Sequence, residues 1–406
     1  MRVIVLHTLW GIPPGGGVGG GTLHHVALSN KWAQMGAEAI WLVGDQGDGI
    51  RNLLTGARVV VIPAVPGSAI AGSIQNISGM IFNHFLQRSR LRSFASQCHP
   101  ARETRVVATS AYLPDALGAL QLGRLLSSPV VLYFHHLARP PWWHPFKRGG
   151  LIRVTGNWLM NTAVLYMAKV SGSAISLDQP RELGDLGWRP WREVLQDDDF
   201  VEQPRSPVTQ SLEFRRTDAC FIGGIAKRKG VFDLIRAWEL VVQAHPSARL
   251  VIAGKPESNR TLAAMTRLIS QRGLDGKVVL LGYMGEAEKL SLLDSTKVFL
   301  YPSYEEGWSL AVMEAAMHGA VPVTYDLPAY DYLGPAAIKV PVGDVRALAD
   351  SASSLLASGD SRIVTSEALL GAVAPYNLEA VAATQLERIG ALTRSPSAAR
   401  AYRGGQ

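Results

Sequence analysis

The sequence has 406 residues, of which 47% are hydrophobic, and carries a formal net charge of +7. This length exceeds what one hydrophobic core usually supports, so we expect two domains. The two cysteines, Cys98 and Cys220, are too few and too far apart for a disulfide framework or a zinc site, which is typical of a protein in a reducing compartment.

The N-terminal segment MRVIVLHTLW lacks the charged, apolar and small-residue pattern of a signal peptide. No uninterrupted run of about 18 apolar residues occurs in the sequence, so no membrane-spanning segment is predicted. We therefore expect a cytoplasmic protein that does not cross a membrane.

Short β-branched segments alternate with longer helical patterns, which is typical of parallel sheets covered by helices on both faces. Six strands are predicted in the first half: VIVLH, AIWLVG, RVVVIP, RVVATS, PVVLYFHH and SAISL. Five follow in the second half: DACFIGG, ARLVIAG, KVVLLG, KVFLYPS and AVPVTY. The pattern predicts two doubly wound, Rossmann-like domains facing a central cleft, with ligands outside the carboxyl ends of the strands.

The predicted domains can be bounded by composition. Residues 1–200 form the first domain and residues 217–375 the second, separated by a polar, Pro-bearing linker over 201–216. A C-terminal helix over 376–394 is expected to pack back toward the first domain. The last residues, 395–406, are expected to be a disordered tail.

The positive charge is concentrated in the first half. Residues 51–181 contain 14 basic and 3 acidic residues, a net +11. Within this stretch, segments 83–94 and 138–150 interleave aromatic rings with Lys and Arg, a combination that suits an anionic lipid headgroup layer or a phosphate-bearing substrate. A solvated face is the ordinary reason for a charge run, and single-stranded nucleic acid would also suit these residues. We favour the lipid or phosphate interpretation and expect no nucleic-acid partner.

A glycine-rich loop follows the first predicted strand, in GIPPGGGVGGGTLHHVALSNKWAQMG. The helix after this loop has amide groups that could meet a phosphate, although a loop with no ligand remains the alternative. The glycines do not fit G-x-G-x-x-G, and no acidic residue ends the second strand to hold a ribose, which argues against a nicotinamide-dependent oxidoreductase. His135 and His136 end the fifth strand without a carboxylate cluster nearby in sequence, so no metal is predicted there.

Three cations, Lys227, Arg228 and Lys229, follow the strand and Gly turn of FIGGIAKRKG and are predicted to open a helix. Cations are unfavourable at a helix N-terminus, where the helix dipole is already positive. Their position therefore indicates that an anion binds between them.

The segment YPSYEEGWSLAVMEAAMHGAVPVTYD combines a strand, a turn and a helix ending at Gly319. Glu306 lies in the turn and Glu314 eight residues further on, about 12 Å apart if the turn is counted as helix. The amides of Gly307, Trp308 and Ser309 would face a ligand from the helix N-terminus. This separation of the two glutamates is about the span of a sugar, a diphosphate and a ribose. Two glutamates at this spacing occur by chance in many helices, but their position after a strand, with Gly307 between them and a lysine-bearing loop upstream, favours a nucleotide-sugar site.

At these residues the chain resembles glycosyltransferase family 4, the retaining enzymes of GT-B fold. PSYEEGWSLAVME is similar to the family signature P-S-x-x-E-G-F-G-L with its E-x7-E glutamates, and FIGGIAKRKG is similar to F-x-G-R-L-x-x-x-K-G. LGYMGEAEKLSLLDSTKVFLYPS and VPVGDVRALADSASSLL extend the resemblance over the second half. In the first half, GGTLHHV resembles the family's G-G-x-x-x-x-V, and PVVLYFHH its P-V-V-x-x-x-H-D.

The resemblance implies a role for each matching residue. Gly20 and Gly21 would approach the donor diphosphate, and His135 would lie beside the transferred sugar. The resemblance further implies that Lys229 neutralises the leaving phosphate, that Glu306 binds the sugar and that Glu314 binds the ribose. The other donor contacts that it implies are Gly223, Gly224, Arg228, Gly282, Gly307, Trp308, Ser309 and Leu310.

This sequence departs from the family pattern at several positions. Gly224 replaces the family's arginine, which removes one cation from the phosphate site, although Lys227 or Arg228 could compensate. Ser309 stands where glycine is common. The G-G-x-x-E loop reads LPAYD, and the N-G-V-D at the domain junction is absent, with QDDDF near its place.

The resemblance implies a retaining, metal-independent hexosyltransferase that needs no cofactor and uses a nucleotide diphosphate sugar as donor. The basic first half favours a lipid-linked or otherwise anionic acceptor at the cytoplasmic membrane face, in polysaccharide or glycolipid assembly. Peripheral contact with an anionic membrane would then be expected. A soluble small-molecule acceptor, such as a secondary metabolite, and a catalytically weak scaffold or binding subunit are the alternatives that the sequence leaves open.

Overall fold

The chain divides into two compact units in a computed structural model: Met1–Asp199 with Leu378–Gln406, and Phe200–Asn377. The structure describes residues 1–7, 20–44, 48–63, 74–98, 103–134, 151–177, 183, 194–196 and 212–393. His135 and His136, the aromatic segment 138–150, most of the predicted linker and the predicted tail lie outside the described residues.

Unit 1 contains a seven-stranded parallel sheet with the order β3-β2-β1-β4-β5-β6-β7. Its strands are β1 (Arg2–His7), β2 (Glu38–Val43), β3 (Arg58–Val61), β4 (Thr104–Ala108), β5 (Val130–Phe134), β6 (Ala174–Leu177) and β7 (Val194–Gln196). The central strands are buried along their whole length, as expected for a parallel sheet covered on both faces. The strand order reverses between β1 and β4, which is the switch point of this sheet.

The helices of unit 1 cover this sheet. They are α1 (Gly20–Gln34), α2 (Asp48–Arg51), α3 (Ile74–Gln97), α4 (Leu113–Leu125), α5 (Leu151–Ser171) and, from the C-terminal segment, α12 (Leu378–Ala391). Helix α12 packs against α1, where the indole of Trp32 donates to the Ala382 carbonyl at 2.9 Å. Arg105 at the start of β4 donates to the Ile389 and Gly390 carbonyls at 3.0 and 2.6 Å. The last helix is thus part of the first unit.

Unit 2 contains a six-stranded parallel sheet with the order β10-β9-β8-β11-β12-β13. Its strands are β8 (Thr217–Ile222), β9 (Leu250–Ala253), β10 (Val278–Gly282), β11 (Thr296–Tyr301), β12 (Val321–Tyr325) and β13 (Ile338–Val340). Its helices are α6 (Val231–Ala244), α7 (Asn259–Gln271), α8 (Glu286–Ser295), α9 (Leu310–Met317), α10 (Val345–Ala357) and α11 (Gly359–Val373). Two 3-10 segments complete it, Lys227–Lys229 and Pro328–Ala336. The switch point lies between β8 and β11.

The predicted fold class, two doubly wound parallel-sheet domains, is confirmed. All eleven predicted strands are present, and two edge strands, β7 and β13, were not predicted. Each of these has three residues, so it is too short to show a periodic pattern, and each pairs with one neighbour at the rim of its sheet. Within the described residues, no helix is long and apolar enough to span a bilayer.

Candidate functional site

The loops that follow β8 and β11 pack tightly together at the switch point of unit 2. Gly230 has a left-handed φ of 68°, and a Cβ atom there would stand 1.8 Å from the Pro302 carbonyl oxygen. The Tyr304 amide donates to the Arg228 carbonyl at 2.9 Å. These contacts leave room for glycine alone at position 230 and hold the two loops in one arrangement.

The three cations Lys227, Arg228 and Lys229 form a short 3-10 turn, and helix α6 begins only after Gly230. The sequence-based expectation that they open the helix is therefore wrong in detail, because the left-handed Gly230 separates the turn from the helix. Lys227 and Arg228 are exposed, whereas Lys229 is directed inward.

Lys229 forms an ion pair with Glu306, and this pair is the central feature of the site. The side chains of Lys229 and Glu306 are only 12% and 8% exposed. The Lys229 ammonium also lies 5.6 Å from the centroid of the Tyr301 ring, a cation–π distance. The sequence thus brings a cation from the β8 loop and a carboxylate from the β11 loop into one low-dielectric position.

Two buried tyrosines accompany the Glu306 carboxylate. Burial raises the pKa of Tyr301, and the negative charge of Glu306 raises it further. The same two causes, in the same order, raise the pKa of Tyr330. The Tyr330 hydroxyl is fully buried and has no hydrogen-bond partner among the described residues. Both phenols therefore stay protonated beside the carboxylate.

Helix α9 begins at Leu310, four residues after Glu306, and its N-cap residue is Ser309. The first amides of a helix have no partner inside it and lie at the positive end of its dipole, so this end of α9 suits an anion. Trp308 stacks on Tyr332 at 4.8 Å between ring centroids and contacts Tyr376 edge-on at 5.5 Å. This stacking fixes the turn that precedes α9.

Glu314 lies inside α9 and forms an ion pair with Lys289 of α8 at 2.7 Å. The two side chains are 19% and 18% exposed, so the carboxylate remains accessible at its edge. Sequence reasoning did not identify Lys289, because its partner is 25 residues away on another helix. Any ligand hydroxyl that binds Glu314 would share the carboxylate with this lysine.

Three of the glycines predicted to contact the donor, Gly223, Gly224 and Gly282, lie at the carboxyl ends of β8 and β10. Gly254 contacts Gly223, since a Cβ on Gly254 would stand 1.8 Å from the Gly223 carbonyl oxygen. Gly282 ends β10 with φ 71°, and its carbonyl accepts from the Gly254 amide at 2.7 Å. Gly224 is exposed, and a Cβ there would meet no atom within 4 Å. The positions of these glycines, like those of Arg228, Gly307 and Leu310, are compatible with donor contact but do not test it.

Unit 1 places Gly20 and Gly21 in the first turn of α1, near the switch point of its own sheet. His7 ends β1 and was missed by the sequence analysis. Its Nδ1 atom lies 2.5 Å from the Thr109 hydroxyl and its Nε2 atom 3.2 Å from the Thr22 hydroxyl. The Thr109 hydroxyl donates to the Leu6 carbonyl, so it accepts from His7 Nδ1. His7 thereby ties the first turn of α1 to the sheet.

Asp233 in the first turn of α6 is a third residue that sequence reasoning missed, after Lys289 and His7. Its carboxylate accepts from the hydroxyls of Tyr304 and Tyr325 and from Arg236. Tyr304 belongs to the β11 loop, so the network attaches that loop to α6. Among the described residues, no group of three or more His, Cys, Asp or Glu side chains is arranged to hold a metal ion.

Part of the chain matches a known protein family, and stretches of it are similar to curated proteins. Residues 216–358 match the protein family described as Glycosyl transferases group 1. Over 110 residues the chain is 27% identical to GDP-mannose:cellobiosyl-diphosphopolyprenol alpha-mannosyltransferase of Xanthomonas campestris. The aligned residues make up 27% of this chain and 29% of that protein. Over 136 residues it is 31% identical to poly(glycerol-phosphate) alpha-glucosyltransferase of Bacillus subtilis, 32% of this chain and 18% of that protein. The matched part thus spans less than a third of either relative.

Solved structures resemble the whole chain. The structure of Anabaena Alr3699/HepE in complex with UDP has a TM-score of 0.70 at 13% identity and covers 97% of this chain and 100% of that chain. The structure of sucrose-phosphate synthase from Thermosynechococcus elongatus has a TM-score of 0.67 at 17% identity and covers 95% and 98% of the two chains. At these identities the likeness establishes the two-domain fold.

Proposed function

Because residues 216–358 of this chain belong to the group 1 glycosyltransferases, as the family 4 resemblance predicted, we propose that the protein transfers a sugar from a nucleotide diphosphate sugar with retention of configuration. The observation that carries the proposal is the largely buried ion pair of Lys229 with Glu306, four residues before the N-terminus of α9. A cation, a carboxylate and a helix N-terminus are the groups that a sugar joined to a diphosphate requires.

The donor would lie along the carboxyl edge of the β8–β11 sheet. Its diphosphate would bind the N-terminus of α9 and Lys229, its ribose hydroxyls would reach Glu314, and its sugar would meet Glu306. Lys229 would then exchange part of its contact with Glu306 for the phosphate. This exchange is favourable because it leaves both charged groups with a partner in a site of low exposure.

The chemical step breaks the bond between the anomeric carbon and the diphosphate oxygen, which keeps the electron pair. The acceptor hydroxyl oxygen bonds to the anomeric carbon on the same face and gives its proton to the departing diphosphate. Lys229 and the α9 N-terminus would stabilise the charge that develops on the leaving group, so we propose that no metal ion is required.

For the acceptor, we propose a lipid-linked or other anionic glycan carrier bound by unit 1. The acceptors named for the Xanthomonas and Bacillus relatives, a diphosphopolyprenol and a poly(glycerol-phosphate), both carry phosphate. The excess of +11 over residues 51–181 would attract such a substrate. If the acceptor were soluble and uncharged, this charge excess would not affect its binding. A sugar-transfer rate that does not change with salt concentration would therefore contradict this part of the proposal.

Thermal unfolding with UDP, GDP, ADP and their sugars, in EDTA, tests the donor assignment. A ligand at 100 times its dissociation constant adds about 2.7 kcal/mol to the stability of the folded state, a clear shift in midpoint. One base should stabilise the wild type, and Glu314→Ala should lose the shift. Asp218→Ala is the matched control, because Asp218 pairs with Lys297 at the opposite end of the sheet.

The stereochemical outcome is tested separately, by proton NMR of the product with the donor that binds. An anomeric configuration equal to that of the donor is expected, and an inverted product would overturn the retaining assignment. If no nucleotide shifts the midpoint, with or without added metal, the chain alone has no functional donor site and is better explained as a scaffold.

A further inference from the structure

Helix α3 has an inverted distribution of polar and apolar residues in its middle turns. Asn83 and Gln87 are buried against unit 1, at 0% and 1% exposure. The Gln87 side-chain amide lies 3.4 and 3.3 Å from the carbonyls of Ile62 and Pro63, at the end of β3. Gln87 therefore has a structural role, namely to bind the backbone that follows β3.

The outward face of the same turns is apolar. Phe82 and Phe85 are each 58% exposed, Leu86 is 48% exposed and Ile81 is 39% exposed. A helix on the surface of a globular domain normally turns such residues toward the core. Four large apolar side chains grouped on one exposed face mark an interaction surface.

The next turns of this face are basic. Arg88 and Arg92, four residues apart, are exposed on it, whereas Arg90 lies on another side of the helix and donates to the Pro63 carbonyl at 3.4 Å. The whole of α3 contains no Asp or Glu. Arg88 lies over the ring of Phe85 with 5.6 Å to its centroid, so the cation and the aromatic ring share one row of the helix. An apolar cluster followed by cations along one helix face matches the depth profile of a lipid headgroup layer.

Helix α5, which packs against α3, carries a second exposed apolar row. Its members are spaced seven and four residues apart, as one helix face requires: Leu159, Tyr166 and Val170, at 42%, 63% and 64% exposure. Lys169 is exposed beside them.

We propose that the outward face of α3 docks unit 1 onto a bilayer that contains anionic phospholipid. Phe82, Phe85 and Leu86 insert at the boundary between the headgroups and the acyl chains, and Arg88 and Arg92 bind lipid phosphates. This inference rests on the proposed function, because docking would place unit 1 beside a lipid-linked acceptor. A protein partner would need complementary acidic groups, and a second copy would bring the arginines of each helix together, which charge repulsion opposes.

Vesicle co-sedimentation of the full-length protein tests the proposal. The probes are vesicles of phosphatidylcholine alone and of phosphatidylcholine mixed with phosphatidylglycerol, each at low and at high salt. Binding to the anionic vesicles is expected at low salt, with strong weakening at high salt because surface attraction is screened. Vesicles of phosphatidylcholine alone should bind far less.

Two variants separate the apolar from the electrostatic contribution. Phe82→Ser with Phe85→Ser should lower the partition onto anionic vesicles by about tenfold or more. Arg88→Gln with Arg92→Gln should lower it by about fivefold for each charge and flatten the salt dependence. The matched controls are in unit 2: Phe214→Ser, at a ring that is 78% exposed, and Arg260→Gln with Arg267→Gln, at exposed arginines of α7. Both controls should bind like the wild type.

Each variant is also measured for the nucleotide-dependent shift in thermal midpoint, which separates this proposal from the proposed function. Normal nucleotide binding without vesicle binding overturns the docking proposal and leaves the enzyme assignment intact. If the protein binds vesicles but no nucleotide shifts its thermal midpoint, the docking proposal stands and the enzyme assignment is overturned. If the wild type is a dimer that Phe82→Ser with Phe85→Ser converts to a monomer, the face is covered by a second copy and the lipid proposal is wrong.

Discussion

At the scale of single residues, replacing one partner of the Lys229–Glu306 pair should lower the free energy of unfolding strongly, whereas replacing both partners should lower it little. Lys229→Met leaves the Glu306 carboxylate, 8% exposed, without its cation, and should lower the free energy of unfolding by about 3–5 kcal/mol. Adding Glu306→Gln removes the buried charge and should restore most of that stability. Sugar transfer should fall at least about 100-fold in both variants, because the charge on the leaving phosphate is no longer stabilised.

The control for this cycle is the more exposed pair of Lys297 with Asp218, whose side chains are each 25% exposed. Lys297→Met should cost less than about 1 kcal/mol in urea unfolding and leave transfer unchanged. A double variant of Lys229 and Glu306 that transfers sugar at the wild-type rate would show that catalysis lies elsewhere.

Gly224 stands where the family has an arginine, and the structure has open space there. A Cβ at this position meets nothing within 4 Å, so Gly224→Arg should fold with little loss of stability. The added guanidinium could reach the donor diphosphate and should tighten nucleotide binding by up to about tenfold, measured by titration calorimetry. Gly224→Gln has a similar reach without the charge. Equal affinities for the two variants would contradict a phosphate role for this position.

The two tyrosines beside Glu306 predict a loss of stability at alkaline pH. The pKa values of Tyr301 and Tyr330 are raised above the ordinary value of 10.0, mainly by burial. Their contribution is therefore fully present below pH 10 and is lost as the pH rises above it, by about 1.4 kcal/mol per pH unit for each tyrosine. Urea unfolding at pH 9, 10 and 11 would measure the slope.

Tyr330→Phe should make that slope shallower. At neutral pH it should be neutral or slightly stabilising, because the hydroxyl that it removes is buried without a partner among the described residues. Tyr283→Phe is the control, at a side chain that is 82% exposed. A slope unchanged by Tyr330→Phe would show that Tyr330 ionises as readily in the folded protein as in the unfolded chain.

At the scale of elements, the site depends on how closely the β8 and β11 loops approach each other. Gly230→Ala should lower the free energy of unfolding by about 3 kcal/mol or more, since it adds a clash with the Pro302 carbonyl to the cost of a left-handed conformation. Gly273→Ala is a matched control, because Gly273 has nearly the same φ, 65°, with no atom within 4 Å of a Cβ. It should cost about 1–2 kcal/mol.

The two alanine variants should also differ in nucleotide binding. Gly230→Ala displaces the loops that carry Lys229 and Glu306, whereas Gly273 lies after α7, away from them. Measurement of the nucleotide-dependent midpoint shift distinguishes the two. Equal losses of stability, or normal nucleotide binding by Gly230→Ala, would contradict the close packing of the loops.

At the scale of the whole molecule, α12 should be necessary for unit 1 although it follows unit 2 in sequence. A chain ending at Asn377 leaves three buried donors of unit 1, on Trp32, Arg105 and Tyr133, without their acceptors on α12. At about 1–3 kcal/mol for each lost partner, unit 1 should unfold at a markedly lower temperature. Calorimetry should separate this transition from that of unit 2.

The control is a chain ending at Thr393, which keeps α12. It should unfold like the full-length protein, and both truncated chains should keep the nucleotide-dependent stabilisation of unit 2. A chain ending at Asn377 with normal stability in both transitions would show that the contacts of α12 contribute little.

The sequence by itself determined the fold class, eleven of the thirteen strands in the described part of the chain and the segments of the candidate donor site. These features follow from local patterns. Runs of β-branched residues predict buried strands, and a strand followed by Gly307 and an apolar helical pattern predicts a strand–turn–helix. The edge strands β7 and β13 were not predicted, because three residues are too few to show a periodic pattern of hydrophobicity.

Only the tertiary structure decided which side chains meet. The partners Lys229 and Glu306 are 77 residues apart, Lys289 and Glu314 are 25 apart, and His7 and Thr109 are 102 apart. The inverted polarity of α3 likewise becomes visible only when Asn83 and Gln87 are seen to face inward. Such pairings depend on how strands are ordered in a sheet and which helix face is covered, and no local pattern encodes either of these.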